Sequence, residues 1–183
     1  MSNFFSRKRN NKKHTKIISV SAPVDGDAFL LSAVADTAFS SGMLGEGVAI
    51  TPVQTHEQIV VSPVAGTLTA LFPHAFALLT RDGIEVLVNI GIDTVELEGK
   101  YFEVLAEKDS FVQAGDPIIK FDPLSVTSAG FENTVILTVL NMCDFNCVTF
   151  VQEVVLIKSG ETIPVKRESP VLCIEGSCDV KKD

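Results

Sequence analysis

What most restricts this chain is a succession of short runs of β-branched, aliphatic and aromatic residues, parted at close intervals by turn chemistry. The runs are Ile17–Val20, Ala28–Val34, Val48–Thr51, Gln58–Ser62, Thr67–Phe72, Phe76–Thr80, Glu85–Ile90, Phe102–Ala106, Pro117–Phe121, Val135–Leu140 and Thr149–Ile157. Between them stand Pro23-Val-Asp-Gly26, Gly45-Glu-Gly47, Pro63-Val-Ala-Gly66, Arg81-Asp-Gly83, Ala114-Gly-Asp116 and Ser159-Gly160. Segments this short, bounded by Pro, Gly and Asp, fit strands. Many of them in succession predict an all-β sandwich or barrel. Helical spacing is nearly absent; Asp36 to Ser41 and Asp122 to Ser128 are each long enough for one short helical turn.

An internal echo sharpens this expectation. Ala22-Pro23-Val24-Asp25-Gly26 resembles Ser62-Pro63-Val64-Ala65-Gly66, and each follows a β-rich run. In both, Pro stiffens and Gly relaxes the same kind of tight turn. Two copies are too few for a solenoid, so a duplicated β motif closing one sandwich is expected. The chain then divides into a mobile basic arm (1–15), a β domain (16–168) and a loose C-terminal tail (169–183), with strands ending near Val165.

Composition supports one core. With 183 residues, 46% of them hydrophobic, the chain has apolar material for a single domain and is not bulk-disordered. No apolar run reaches the roughly 18–20 residues that cross a bilayer, and no apolar stretch follows the first charges as in a secretory signal. A soluble, cytoplasmic protein is expected. Fifteen Lys and Arg stand against 23 Asp and Glu, a net charge of −8. Six of the basic residues (Arg7, Lys8, Arg9, Lys12, Lys13 and Lys16) lie in the first sixteen positions, which hold no acid. The remainder therefore has nine basic against 23 acidic residues, a net of −14. Such a body disfavours nucleic acid and favours basic protein partners. The arm, with Phe4 and Phe5 ahead of its cations, is suited to weak contact with an anionic membrane, or is a plain solubilising tail.

Few residues offer chemistry. Cys143, Cys147, Cys173 and Cys178 have spacings that match a zinc site poorly and read as reduced thiols. Of three histidines, His14 and His56 fall in polar surroundings, whereas His74 lies between apolar strands in Leu71-Phe-Pro-His-Ala-Phe76. No Ser-His-Asp order, metalloprotease helix or phosphate-binding glycine loop is present.

Gly83-Ile-Glu-Val-Leu-Val-Asn-Ile-Gly-Ile-Asp-Thr-Val-Glu-Leu97 resembles the signature of the glucose-type EIIA domains, phosphocarriers of the bacterial phosphoenolpyruvate-dependent sugar phosphotransferase system. The resemblance runs from about Ile17 to Val165. It takes in Ala22-Pro23 with Gly26, Phe39 before Gly45-Glu-Gly47-Val-Ala-Ile50, Ser62-Pro-Val-Ala-Gly66, and His74-Ala-Phe76. It continues through Gly99 with Phe102, Gly115-Asp116 with Phe121-Asp122, Asn141, and Gly160-Glu-Thr-Ile-Pro164. It implies a compact, mostly antiparallel β-sandwich.

The resemblance also implies a site. In the family two histidines on adjacent strands face each other in a shallow depression. The supporting one matches His74, and the phosphoacceptor aligns with Asn89. An amide nitrogen, its electrons delocalised into the carbonyl, lacks the lone pair that an in-line nucleophile needs. Asparagine can still hydrogen-bond His74. Two residues usual between Phe-Pro and His-Ala, one often a threonine that orients the supporting ring, are missing, so Pro73 abuts His74. Around the depression the resemblance places Ala38, Phe39, Met43, Leu44, Phe72, Val86, Val88, Ile90 and Val95, with Asp93 and Glu96 at the rim. Phe39 and Met43, beside a loop, are expected at the surface, while Val86 and Val88 fit core packing equally well. An apolar patch ringed by acids suits HPr, or the EIIB and EIIC parts of a sugar transporter acting in trans. A binding and regulatory module without phosphoryl turnover is expected, with no cofactor and no metal. Two other readings stand beside it: a working phosphocarrier with His74 as acceptor, and an engineered block at Asn89.

Overall fold

Alternation and turn chemistry translate into fourteen strands in a computed structural model, which describes residues 15–141, 147–150 and 162–177. In chain order they are β1 (Thr15–Ser21), β2 (Gly26–Leu30), β3 (Glu46–Pro52), β4 (Gln58–Val61), β5 (Gly66–Phe72), β6 (Ala75–Leu79) and β7 (Glu85–Ile90). They continue as β8 (Phe102–Val104), β9 (Phe111–Val112), β10 (Pro117–Phe121), β11 (Val135–Val139), β12 (Cys147–Phe150), β13 (Ile163–Val165) and β14 (Pro170–Ser177). Eight form one sheet in the order β13-β2-β3-β11-β7-β6-β5-β9. Two three-stranded sheets, β1-β14-β12 and β4-β10-β8, complete the β-sandwich. All the pairings among the described strands are antiparallel.

The two expected helical turns form: α1 (Thr37–Ser40) and α2 (Pro123–Ser128). Each is started by an aspartate. Asp36 accepts hydrogen bonds from the Ala38 and Phe39 amides at 2.8 and 3.2 Å, and Asp122 accepts one from Ser125 at 2.9 Å. The side-chain oxygens satisfy first-turn donors that lack a partner within the helix.

The echo is a true structural repeat. Ser21 donates its amide hydrogen to the Pro63 carbonyl at 2.9 Å and Val61 donates to the Pro23 carbonyl at 2.9 Å, so the two Pro turns bind each other crosswise. Around them β1 pairs with β14 as β4 pairs with β10, and β2 lies between β3 and β13 as β5 lies between β6 and β9.

The repeat overturns one expectation. Residues 169–183 are not simply a loose tail, because Pro170–Ser177 form β14, the centre of its sheet, with Val171, Leu172 and Ile174 fully buried. The turn that feeds it matches the turn that feeds β10: Ser169 donates to the Lys166 carbonyl as Asp116 donates to that of Gln113. Both turns contain a left-handed residue, Glu168 in one and Gly115 in the other. The missed signal was Ser169-Pro-Val-Leu172, a second version of Asp116-Pro-Ile-Ile119. Residues 1–14, Cys143, Cys178 and most of the expected run Thr149–Ile157 lie outside the described residues. Among the described residues no helix is long and apolar enough to cross a membrane.

The main core lies between the sheets and takes Val86, Val88 and Ile90 from β7 with Val135, Leu137 and Val139 from β11. The other face of the eight-stranded sheet has a smaller cover. Leu31, Val34 and Phe39, from the 3-10 turn Leu31–Ala33 through α1, pack on Ala49 of β3 and Ile136 of β11. β11 is therefore buried on both faces.

Candidate functional site

His74 occupies a two-residue turn with Pro73, since Phe72 of β5 is already paired with Ala75 of β6. Ala75 in turn pairs with Asn89 of β7, and the His74 carbonyl accepts the Ile90 amide hydrogen at 2.7 Å. This ladder sets the His74 and Asn89 side chains side by side in one shallow depression of about 180 Å³. Its other walls are Asp36, Phe39, Gly91, Ile92, Asp93, Thr94 and Val95.

The segment after β7 is held tightly. Gly91 and Ile92 donate to the carbonyls of Thr134 and Glu132 at 2.8 and 2.9 Å. The Thr94 hydroxyl donates to the Ile90 carbonyl at 2.6 Å. Asp93, in the left-handed region at φ 57°, opens the 3-10 turn Thr94–Leu97. Gly91, at φ +80°, is needed here, because a Cβ would collide with the Thr94 methyl and approach the Glu132 carbonyl oxygen to 2.7 Å. The bend leaves Asp93 and Val95 in the lining of the depression.

Burial lowers the His74 pKa from its ordinary 6.5, so the imidazole is neutral at pH 7. Its ring stacks on Phe72, with centroids 6.2 Å apart and planes 27° from parallel. The Asn89 amide nitrogen donates to the Gly91 carbonyl at 2.7 Å, so its partner is the loop rather than the expected His74 ring. Asp36 and Asp93 are the carboxylates lining the depression, and none of its lining residues is Lys or Arg. Among the described residues, no three His, Cys, Asp or Glu side chains gather as metal ligands would.

The expected contact surface divides in two. Met43, Phe72 and Val95 are exposed at 80%, 56% and 61%, a high value for large apolar side chains, and Asp93 and Glu96 are exposed at the rim. Ala38 and Leu44 are half-buried. Val86, Val88 and Ile90 are fully buried on the opposite face of β7 and offer no surface. Phe39, expected at the surface, is only 7% exposed: it anchors α1 on Ala49 and Ile136, and contributes to the depression as part of its wall. The sequence reading missed Asp36, Gly91, Ile92 and Thr94. For Asp36 the available signal was its place at the start of a short helical turn, where an aspartate caps the chain.

Residues 18–145 match the family described as phosphoenolpyruvate-dependent sugar phosphotransferase system, EIIA 1. The chain belongs to this family. A glucose-specific EIIA component of Staphylococcus epidermidis is 35% identical over 153 residues, 82% of this chain and 90% of that protein. The glucose-specific EIIA component of Buchnera aphidicola is 40% identical over 123 residues, 66% of this chain and 71% of its own. A beta-glucoside-specific EIIBCA component of Halalkalibacterium halodurans is 43% identical over 124 residues, 67% of this chain but only 19% of that longer protein. Among solved structures, glucose permease IIA from Mycoplasma capricolum superposes with a TM-score of 0.69 at 33% identity, covering 86% of this chain and 96% of that one.

Proposed function

We propose that this chain acts as an EIIA-type binding and regulatory module of the sugar phosphotransferase system, engaging HPr or the EIIB and EIIC parts of a transporter in trans without carrying phosphate. The observation that supports this most is Asn89. It stands at the position where the family resemblance implies the acceptor, and its amide nitrogen is delocalised and committed to the Gly91 carbonyl. Phosphoryl transfer needs an in-line lone pair close to the phosphorus, and positioning supplies most of its rate. His74 is neutral, but its backbone is tied to β7 and its ring lies against Phe72 at the side of the depression. The exposed apolar side chains Met43, Phe72 and Val95 and the exposed acids Asp93 and Glu96 support retained binding: apolar contacts supply affinity and the acids steer a basic partner.

The test is incubation with phosphoenolpyruvate, enzyme I and HPr, followed by intact-mass measurement. The expected result is an unchanged mass together with measurable binding to HPr. A gain of one phosphate that disappears in His74→Gln would make His74 the acceptor and overturn the proposal.

A further inference from the structure

We propose that the cleft beside the second Pro turn binds a small organic acid, whose carboxylate takes the place that the Asp25 side chain takes in the first copy of the repeat.

The two copies share a backbone framework. Val165 pairs with Gly26 as Val112 pairs with Gly66, so Arg167 and Glu168 correspond to Ala114 and Gly115. The hydrogen bonds around this framework recur. Glu168 donates to the Ala22 carbonyl at 3.0 Å, and Gly115 donates to that of Ser62 at 2.9 Å. Ala22 donates to the Ser169 carbonyl at 2.7 Å, and Ser62 donates to that of Asp116 at 2.8 Å. One further contact of the first copy cannot recur. The Arg167 amide donates to the Asp25 carboxylate at 2.8 Å, and the Arg167 Nε lies 3.4 Å from its other oxygen. In the second copy alanine stands at both positions, Ala65 for Asp25 and Ala114 for Arg167. The framework is kept while both halves of the ion pair are lost.

Beside Ala65 lies a cleft of about 370 Å³, against about 180 Å³ for the depression at His74, and the two share no lining residue. Sites that hold small ligands occupy roughly 300–1,000 Å³, so this cleft is at the small end of that range. Ile17, Ile18, Val64 and Phe111 give it apolar walls, with Ile17 and Phe111 themselves exposed. Among the described residues that line it, Arg81 is the cation. Its guanidinium lies 4.9 Å from the centroid of the Phe111 ring, a cation–π contact that sets the charge in place.

These features select the ligand. One cation, at a turn whose counterpart holds a carboxylate, suits a single negative charge. Asp82 also lines the cleft, engaged in an interaction of its own, and its charge disfavours a doubly charged phosphate. The apolar walls suit a hydrocarbon body joined to that carboxylate. The ligand's carboxylate accepts from the Ala114 amide as Asp25 accepts from that of Arg167. Arg81 then supplies the charge that the Arg167 guanidinium supplies in the first copy.

The experiment titrates the full chain with phenylacetate, with its neutral amide and with acetate, following backbone amide shifts by NMR. Phenylacetate is expected to saturate with a Kd at or below about 1 mM, and both controls to bind at least about tenfold more weakly. The shifts should centre on Ile17, Ala65, Arg81 and Ala114 and spare His74 and Asn89. Ala65→Asp installs the residue that the first copy already accommodates, and should weaken phenylacetate about tenfold or more by supplying the carboxylate from within. Arg81→Gln should remove the preference for the acid over its amide. Absence of saturation by about 10 mM, equal binding of the amide, or shifts centred on the depression would overturn the inference. So would unchanged binding in Ala65→Asp or an undiminished acid preference in Arg81→Gln.

Discussion

Gly91 and Gly83 have nearly the same backbone, φ +80° and φ +81°, but different surroundings, so alanine at each separates backbone strain from crowding. At Gly83 a Cβ meets nothing within 4 Å. At Gly91 it strikes the Thr94 methyl and lies 2.7 Å from the Glu132 carbonyl oxygen. A left-handed alanine costs about 1–2 kcal/mol, and the stiffer unfolded chain returns about 0.4–1 kcal/mol. Gly83→Ala should therefore destabilise by no more than about 1.6 kcal/mol. Gly91→Ala carries the same terms plus overpacking of about 1–3 kcal/mol, since neither obstacle is the end of a long flexible side chain. Thr94 is anchored by its hydroxyl to Ile90, and the Glu132 carbonyl already accepts from Ile92. Urea unfolding followed by circular dichroism should place the Gly91→Ala midpoint about 1 M below that of Gly83→Ala, for a slope near 2 kcal/mol/M. Unfolding free energies within about 0.5 kcal/mol of each other would refute the claim that the Gly91 bend is tightly enclosed.

Further outcomes follow from the same geometry. Phe72→Ser, at a side chain 56% exposed, should weaken HPr binding about tenfold while leaving the thermal midpoint nearly unchanged. Leu172→Ala, in fully buried β14, should cost about 2–5 kcal/mol in urea unfolding; a silent change would restore the loose-tail reading. Burial favours neutral His74 in the folded state, so its contribution to stability is complete above 6.5 and is lost as pH falls through the lower folded value. His74→Gln should flatten that acid limb in unfolding measured across pH, and an unchanged slope would show that another group controls it.

Much of the architecture was legible in the residues. The alternating runs became strands because a β-branched side chain fits a pleated, half-buried surface, and Asp36 and Asp122 each start a helical turn by satisfying its first donors. The Pro-x-x-Gly echo gave the repeat. The family resemblance, rather than any spacing rule, brought His74 and Asn89 together; the β6–β7 register is what physically joins them.

Tertiary structure decided the rest. A period of two determines that Val86, Val88 and Ile90 share a face of β7, but it does not say which face meets the core. Here both faces of the central strands are covered, the outer one by α1 and the 3-10 turn before it, so Phe39 is buried and Leu87 and Asn89 are on the side of the depression. For β14 the local signal, Ser169-Pro-Val-Leu172, shows that a strand can form but not where it pairs. The segment is flanked by charge, and it becomes the centre of a sheet only because β1, more than 150 residues earlier, supplies one neighbour, as in the pairing of Thr15 with Ser177. Local pattern fixes what each segment can be, whereas burial and strand partners are set by contacts between distant parts of the chain.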